Sequence, residues 1–388
     1  MIYFLLIAAI YLTISSIILL RNVVDFTKIS LDAHSITQLK SVSFCIPARN
    51  EESSIRKCVE SVISQNYPNF EILVLDDHST DSTNQILTDI QKNNPDSKIR
   101  ILSGEPKPET WLGKNWACHQ LSLTANGDIL VFLDADTWID TNLANAINNM
   151  FNSADIDAIT IWPEQELETF WEKVVIPQIY YVIFTLLPVR YSQFDPKWMP
   201  EKIRPKFRSY FAAACGQFIA FKKETYQTIG GHSSVRDKVV EDVELARLIR
   251  RNGLKIRLFR GSEAVHCRMY TNHNEILKGF RKNFLAGFGN NLLLFVAAGI
   301  LHFVVFIMPI ILFIYALISN DSVILIMSLA LIIWPWILRL YIDYINNWNL
   351  KYIFGHQLGV CWFQILSVIV LIDKLLKRKV SWKGRDLS

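Results

Sequence analysis

The chain has 388 residues, 51% of them hydrophobic and 20% charged, and a formal net charge of +4. That apolar content excludes a disordered polypeptide and exceeds what one ordinary soluble domain needs, while so small a net charge excludes the strongly basic footprint of a nucleic-acid binder. Six widely spaced cysteines, Cys45, Cys58, Cys118, Cys215, Cys267 and Cys361, form no CxxC pair, which excludes a zinc site or disulfide framework and fits a reducing cytoplasm.

The apolar surplus lies at the two ends. Met1 to Leu20 carry no charge until Arg21, and about 20 apolar residues span a bilayer as a helix. No basic leader or small-residue cleavage site marks a signal peptide, so residues 1–21 read as an uncleaved anchor. Residues 22–290 hold most of the charge and form the soluble domain. Arg21 and Lys28 beside the first span put this domain in the cytoplasm, with the amino terminus outside.

Within that domain, Val42-Ser-Phe-Cys-Ile46 is strand-like and ends in Pro47-Ala-Arg49-Asn50-Glu51-Glu52. Ile55, Val59, Val62 and Ile63 recur at helical spacing until Asn66-Tyr-Pro68-Asn69 stops them. Phe70 to Leu75 is a second apolar strand running into Asp76-Asp77-His78-Ser79-Thr80-Asp81, a helix start. A third strand at 99–102 and a helix from Gly113 to Ala125 follow. Next comes Ile129-Leu-Val-Phe-Leu-Asp134-Ala-Asp136, a buried strand closed by two carboxylates. This alternation predicts a parallel sheet with helices on both faces, and Arg49, Asp77 and Asp134 along one edge of it. Paired carboxylates at a strand end are hard oxygen ligands for a divalent cation, Mg²⁺ or Mn²⁺.

Phe170 to Leu187 is apolar yet broken by charge and Pro177, which suits a membrane-interfacial segment over about 168–190. Phe211-Ala-Ala-Ala-Cys215-Gly216-Gln217 is small and apolar, as needed where a ligand approaches the backbone closely. Val239 to Gly253 is an amphipathic helix with Glu241 and Asp242 in its first turn. Residues 291–375 contain two to three further membrane segments. Lys374, Lys377, Arg378, Lys379, Lys383 and Arg385 make residues 376–388 a basic cytoplasmic tail that rests on anionic lipid headgroups. Three simple crossings after the soluble domain forbid that placement, so one late segment is expected to be interfacial or re-entrant.

Pro47-Ala-Arg49-Asn50-Glu51, Leu75-Asp-Asp-His-Ser-Thr-Asp81, Trp111-Leu-Gly-Lys114, Asp134-Ala-Asp136, Gly230-Gly231 and Glu241-Asp242, in this order over about Ser41 to Asn283, resemble the family 2 glycosyltransferases. The resemblance implies an α/β nucleotide-sugar-binding domain of GT-A fold, mostly a parallel sheet with helices on both faces, plus transmembrane helices at both ends. It implies that Pro47, Arg49, Asn50 and Glu51 line the nucleotide pocket, and that Asp77 reads uracil. A carboxylate accepts the imide N–H that cytosine lacks; helix capping remains the other reading of Asp76 or Asp77. Lys114 is the natural partner of the diphosphate, and Arg281 a further one. Asp136 holds the metal, with Asp134 on the ribose or a metal-bound water. His266 is a further ligand, with Arg268 a phosphate contact. Gly216 and Gln217 are donor-sugar candidates, Glu241 belongs with the donor-binding residues, and Asp242 matches the general base of an inverting displacement.

Lys278-Gly-Phe-Arg281-Lys282-Asn283 departs from the Gln/Arg-x-x-Arg-Trp of processive synthases and ceramide enzymes. Arg268-Met-Tyr270, Gly279-Phe280 and Ser381-Trp-Lys-Gly-Arg385 are similar instead to bacterial carotenoid glycosyltransferases acting on diaponeurosporenoate and to hopene-associated enzymes. The expected activity is transfer from a UDP-sugar, UDP-glucose foremost, to a membrane lipid. A polyprenyl-phosphate glycosyltransferase or a polysaccharide synthase is the alternative, and no nucleic acid is involved.

Overall fold

The computed structural model describes residues 1–31 and 38–378, and the backbone of 381–382 and 385–386. Lys379 and Lys383 of the basic tail lie outside the described residues. The chain divides into two compact units, one of Asp25–Glu166 with Val189–Met269, the other of Met1–Val24, Leu167–Pro188 and Tyr270–Ser388.

Among the described residues the first unit has ten strands: β1 Val42–Ala48, β2 Phe70–Asp76, β3 Ile99–Ser103, β4 Ile129–Leu133, β5 Thr137–Ile139, β6 Ala158–Trp162, β7 Glu164–Gln165, β8 Phe218–Lys222, β9 Ile256–Arg260 and β10 Val265–Cys267. Seven form one sheet in the order β3-β2-β1-β4-β8-β6-β9. All its pairs are parallel except the two made by β8, which runs against both β4 and β6. The expected parallel sheet is therefore a mixed one. Every residue of β4 is buried, as befits a central strand covered on both faces. Because β8 is reversed, its beginning meets the end of β4, and Asp134 N–H donates to Gln217 O at 3.1 Å. The chain thus brings the Gly216 loop to the carboxyl ends of β1, β2 and β4. A second small sheet, β5-β10-β7, stands beside the Asp134-Ala-Asp136 turn. His266 lies inside β10.

The other unit is helical. Four of its helices among the described residues are long and apolar enough to cross a membrane: Ile2–Asp25, Leu292–Ser319, Ser322–Ile345 and Leu350–Leu375. Asn320, left-handed at φ 54°, ends one helix, and the Asp321 carboxylate caps the next by accepting from Val323 and Ile324 N–H. So short a link makes those two helices antiparallel neighbours. Gln364 Nε2 donates to Gly299 O at 3.1 Å, and the His356 and Phe306 rings are 5.2 Å apart. Helix His356–Leu375 therefore runs against Leu292–Ser319 and in the same direction as Ser322–Ile345. Two successive helices pointing the same way require the connector 346–355 to double back. Its Trp348 meets Tyr180 at 4.9 Å and its Phe354 meets Trp336 at 5.1 Å. Helix Phe170–Leu186 packs closely on this returning segment: a Cβ on Gly359 would lie 2.3 Å from Gln178 Nε2 and 2.8 Å from Val174 O.

Candidate active site

The loop after β1 is tied to the loop after β2. Arg49 Nη1 donates to the carbonyls of Asp77 and His78 at 2.5 and 3.0 Å. Asn50 takes Thr80 N–H at 2.8 Å on its side chain and gives its own N–H to Ser79 Oγ, while Glu51 N–H donates to Thr83 Oγ1. Asn50 and His78 both hold positive φ, 52° and 56°, a conformation that asparagine tolerates better than most residues. The two adjacent aspartates separate in role. Asp76 accepts from Ser79 N–H and Asn84 Nδ2 and so fastens its own loop. Asp77 is buried, held by its N–H on Ala48 O at 2.8 Å.

Lys114 stands in the first turn of helix Gly113–Thr124 and is the hub of the site. Its Nζ lies 2.7 Å from Asp134 Oδ1, 2.9 Å from Glu241 Oε1 and 3.4 Å from Gly216 O. Burial disfavours its charge, yet Asp134 and Glu241 outweigh this and raise its pKa well above the usual lysine value. Burial and the charge of Asp136 push Asp134 up to about 6 against the opposing pull of Lys114. Glu241 is also buried, but Lys114 holds it below the ordinary glutamate value. Asp242 opens helix Glu241–Arg251 and accepts from Gly216 N–H at 2.7 Å and Val243 N–H at 2.8 Å. Burial, and then the charge of Glu241, push it up to about 7, so a neutral-pH proton acceptor results. Gly216 touches both charges: a Cβ there would sit 3.3 Å from Asp242 Oδ2 and 3.3 Å from Lys114 Nζ.

Pro47, Lys114, Asp134, Gly216, Glu241 and Asp242 line one cleft, together with Cys118, Phe132, Ile219, His232 and Leu245. His232 escaped sequence reading. Burial lowers its pKa to about 3, so it is neutral, and Tyr226 Oη lies 2.7 Å from its Nδ1. The Gly230-Gly231 pair just before it was the available signal: a Cβ on Gly231 would fall 2.3 Å from the Tyr226 ring.

Two expected site residues are placed otherwise. Gln217 is buried, with Oε1 accepting from Gln165 Nε2 at 3.0 Å and Nε2 on Cys267 Sγ at 2.8 Å. Its amide clasps β7 and β10 to the start of β8 and does not face the cleft. His266 alternates with Cys267 along β10, so the two side chains take opposite faces. Cys267 feels the charges of Asp136 and Asp134, whereas the His266 ring stacks on Trp138 at 6.0 Å. Among the described residues no three His, Cys, Asp or Glu side chains gather as a ready-made metal site; His266 is not brought to the aspartates. Arg268 N–H reaches Asp136 O at 3.4 Å. Arg281 belongs to the helical unit, where its Nε and Nη2 fork onto Asp373 at 2.5 and 2.6 Å.

A mixed sheet with helices on both faces, bearing carboxylates at the strand ends and a partly exposed lysine between them, defines a nucleotide-sugar-binding fold of GT-A type. Residues 43–188 match the family model for glycosyl transferase family 2, and residues 207–388 match that for glycosyl transferase family 21. The 4,4'-diaponeurosporenoate glycosyltransferase of Staphylococcus haemolyticus is 25% identical over 255 residues, and its Staphylococcus aureus (strain MRSA252) counterpart 25% over 257. Each alignment covers 64% of this chain and 62% of the relative's length. A mannosyltransferase of Pyrobaculum calidifontis, solved with GDP-mannose and Mn²⁺, superposes with a TM-score of 0.54 at 16% identity, covering 97% of this chain and all of its own. The two family models and the curated relatives together support a family 2 glycosyltransferase.

Proposed function

We propose that this protein is a membrane-bound inverting glycosyltransferase that moves a sugar, glucose foremost, from a UDP-sugar to a membrane lipid such as a carotenoid acid or hopanoid. The observation that carries this reading is Asp242, pushed up to about 7 beside Gly216 and the Lys114 network. A carboxylate of that strength takes the proton from the acceptor hydroxyl or carboxyl as its oxygen attacks the anomeric carbon. The two backbone N–H groups hold it in one orientation. Lys114, shared between Asp134 and Glu241, moves toward the diphosphate when a donor enters, since a diphosphate outcompetes single carboxylates for an ammonium. Asp77 reads the uracil from beneath the β1 loop, and Pro47, Arg49, Asn50 and Glu51 frame it.

The donor set fits a divalent metal. Asp134 and Asp136 offer only hard carboxylate oxygens, and their mutual repulsion, part of what raises Asp134, is what a cation relieves. Mg²⁺ or Mn²⁺ held by Asp136 and Asp134 would supply Lewis-acid stabilisation of the leaving diphosphate. The acceptor reading draws on the relatives, whose named substrate is a carotenoid carboxylate, and on the four apolar helices.

The test incubates membranes containing the protein with labelled UDP-sugars and Mg²⁺ or Mn²⁺ and identifies labelled lipid by mass spectrometry. Asp242→Asn and Asp136→Ala are each expected to lower transfer by about a hundred- to a thousandfold or more, the scale on which removing a base or charge stabiliser acts. Transfer that survives both substitutions overturns the mechanism. Label confined to high polymer would favour the synthase alternative instead.

A further inference from the structure

The reaction outlined above makes no use of the most polar part of the helical unit. Arg339 and Asp343, one turn apart on helix Ser322–Ile345, are 0% and 1% exposed. Arg339 Nε donates to Asp343 Oδ1 at 2.5 Å and its Nη2 to Lys173 O at 3.2 Å. Tyr181 and His356, also buried, face each other with ring centroids 4.4 Å apart, and Arg339 is within electrostatic reach of both. Gln178 Nε2 bonds to His356 O at 3.1 Å, and Gly359 lets the two helices close over the group.

Five polar atoms of this cluster, Arg339 Nη1, Asp343 Oδ2, Tyr181 Oη and both ring nitrogens of His356, have no hydrogen-bond partner among the described residues. Buried polar atoms without partners are costly anywhere and more so among apolar helices, where ionisable side chains mark ligand sites. Their chemistry selects the ligand. Arg339 and Asp343 cancel in charge, so a further anion would face the Asp343 oxygen and a further cation the Arg339 nitrogen. A neutral imidazole offers one donor and one acceptor, and a phenol offers both. The unmet donors and acceptors are thus balanced, and a hydroxyl group answers both kinds at once. We propose that Tyr181, Arg339, Asp343 and His356 form a binding site inside the helical unit for a neutral hydroxyl group, supplied by water or by a lipid alcohol.

The test uses the full chain in detergent and needs no turnover, so it stands or falls apart from the glycosyl-transfer reading. Tyr181→Phe deletes one oxygen and no volume. With a hydroxyl bound there, the variant melts several degrees below wild type. If the oxygen has no partner, its removal leaves the Tm unchanged or raises it, and the proposal is overturned. His356→Gln keeps a donor and an acceptor and is expected to melt above His356→Leu; the reverse order also overturns the site. Stripping and restoring lipid separates the sources. A wild-type Tm that falls and recovers, against a Tyr181→Phe Tm that does not respond, assigns a lipid hydroxyl. A wild-type Tm indifferent to lipid assigns water.

Discussion

Asp242 receives two backbone N–H groups and still rises to about 7, because burial and the neighbouring Glu241 charge outweigh what hydrogen bonds to its carboxylate form recover. Two pH effects of opposite sense follow. As a base it acts only when ionised, so kcat/KM falls about tenfold per pH unit on the acid side of about 7, measured with saturating metal. For stability, the folded value lies above the ordinary 3.8. The folded state therefore holds the proton more tightly, and stability from this group declines as pH rises from about 4 to about 7 and stays lost above. Asp242→Asn should accordingly abolish transfer yet raise the Tm by a few degrees at pH 8, the gain vanishing toward pH 4. An equal Tm difference at both pH values would remove the claim. At this scale Asp134, Lys114 and Asp242 were legible because each closes a recognisable strand or opens a helix. The orientations of Gln217, just before β8, and of His266, inside β10, were not legible, because each is set by contacts with segments distant in sequence.

At the level of elements, the strand-helix alternation up to β4 was readable, since each apolar run ends in a distinct polar loop. The reversal of β8 was not. Phe218–Lys222 is five residues long and wholly apolar until Lys222, and such a run looks the same in either direction. That reversal delivers Gly216 to Asp242, so the unreadable feature is the one that assembles the proposed base. In the helical unit, Gly355-His-Gln-Leu-Gly359 sets two glycines one turn apart against Val174 and Gln178, letting backbones approach as small residues do between membrane helices. Gly359→Leu would drive side-chain atoms into Val174 O and Gln178, with no flexible tip to yield on the backbone side. Overpacking of this kind costs about 1–3 kcal/mol. The variant should lose several degrees in Tm while donor binding, made by the other unit, is retained. A Tm within a degree of wild type would mean the helices do not meet at Gly359.

For the whole molecule, the decisive quantity is the number of times the chain crosses the bilayer. Four sufficiently apolar helices would, taken as four crossings, return the carboxyl end to the side of Met1. The basic residues Lys374, Lys377 and Arg378 oppose that placement, because positive charge collects on the cytoplasmic side. Helix directions resolve the conflict. Since His356–Leu375 runs parallel to Ser322–Ile345 and the connector 346–355 doubles back between them, we propose that the last helix enters and leaves on one face. On that proposal the chain crosses three times, with Met1 and Asn320 on one side of the bilayer and Arg378 on the other, the proposed cytoplasmic side. Alkaline phosphatase joined after Asn320 should be active, and joined after Arg378 inactive, while a fluorescent-protein fusion after Arg378 should fluoresce. Active phosphatase after Arg378 would mean that Leu350–Leu375 crosses fully, which would leave His356 in a different span from Arg339 and Asp343, without the turn-back that brings it to them.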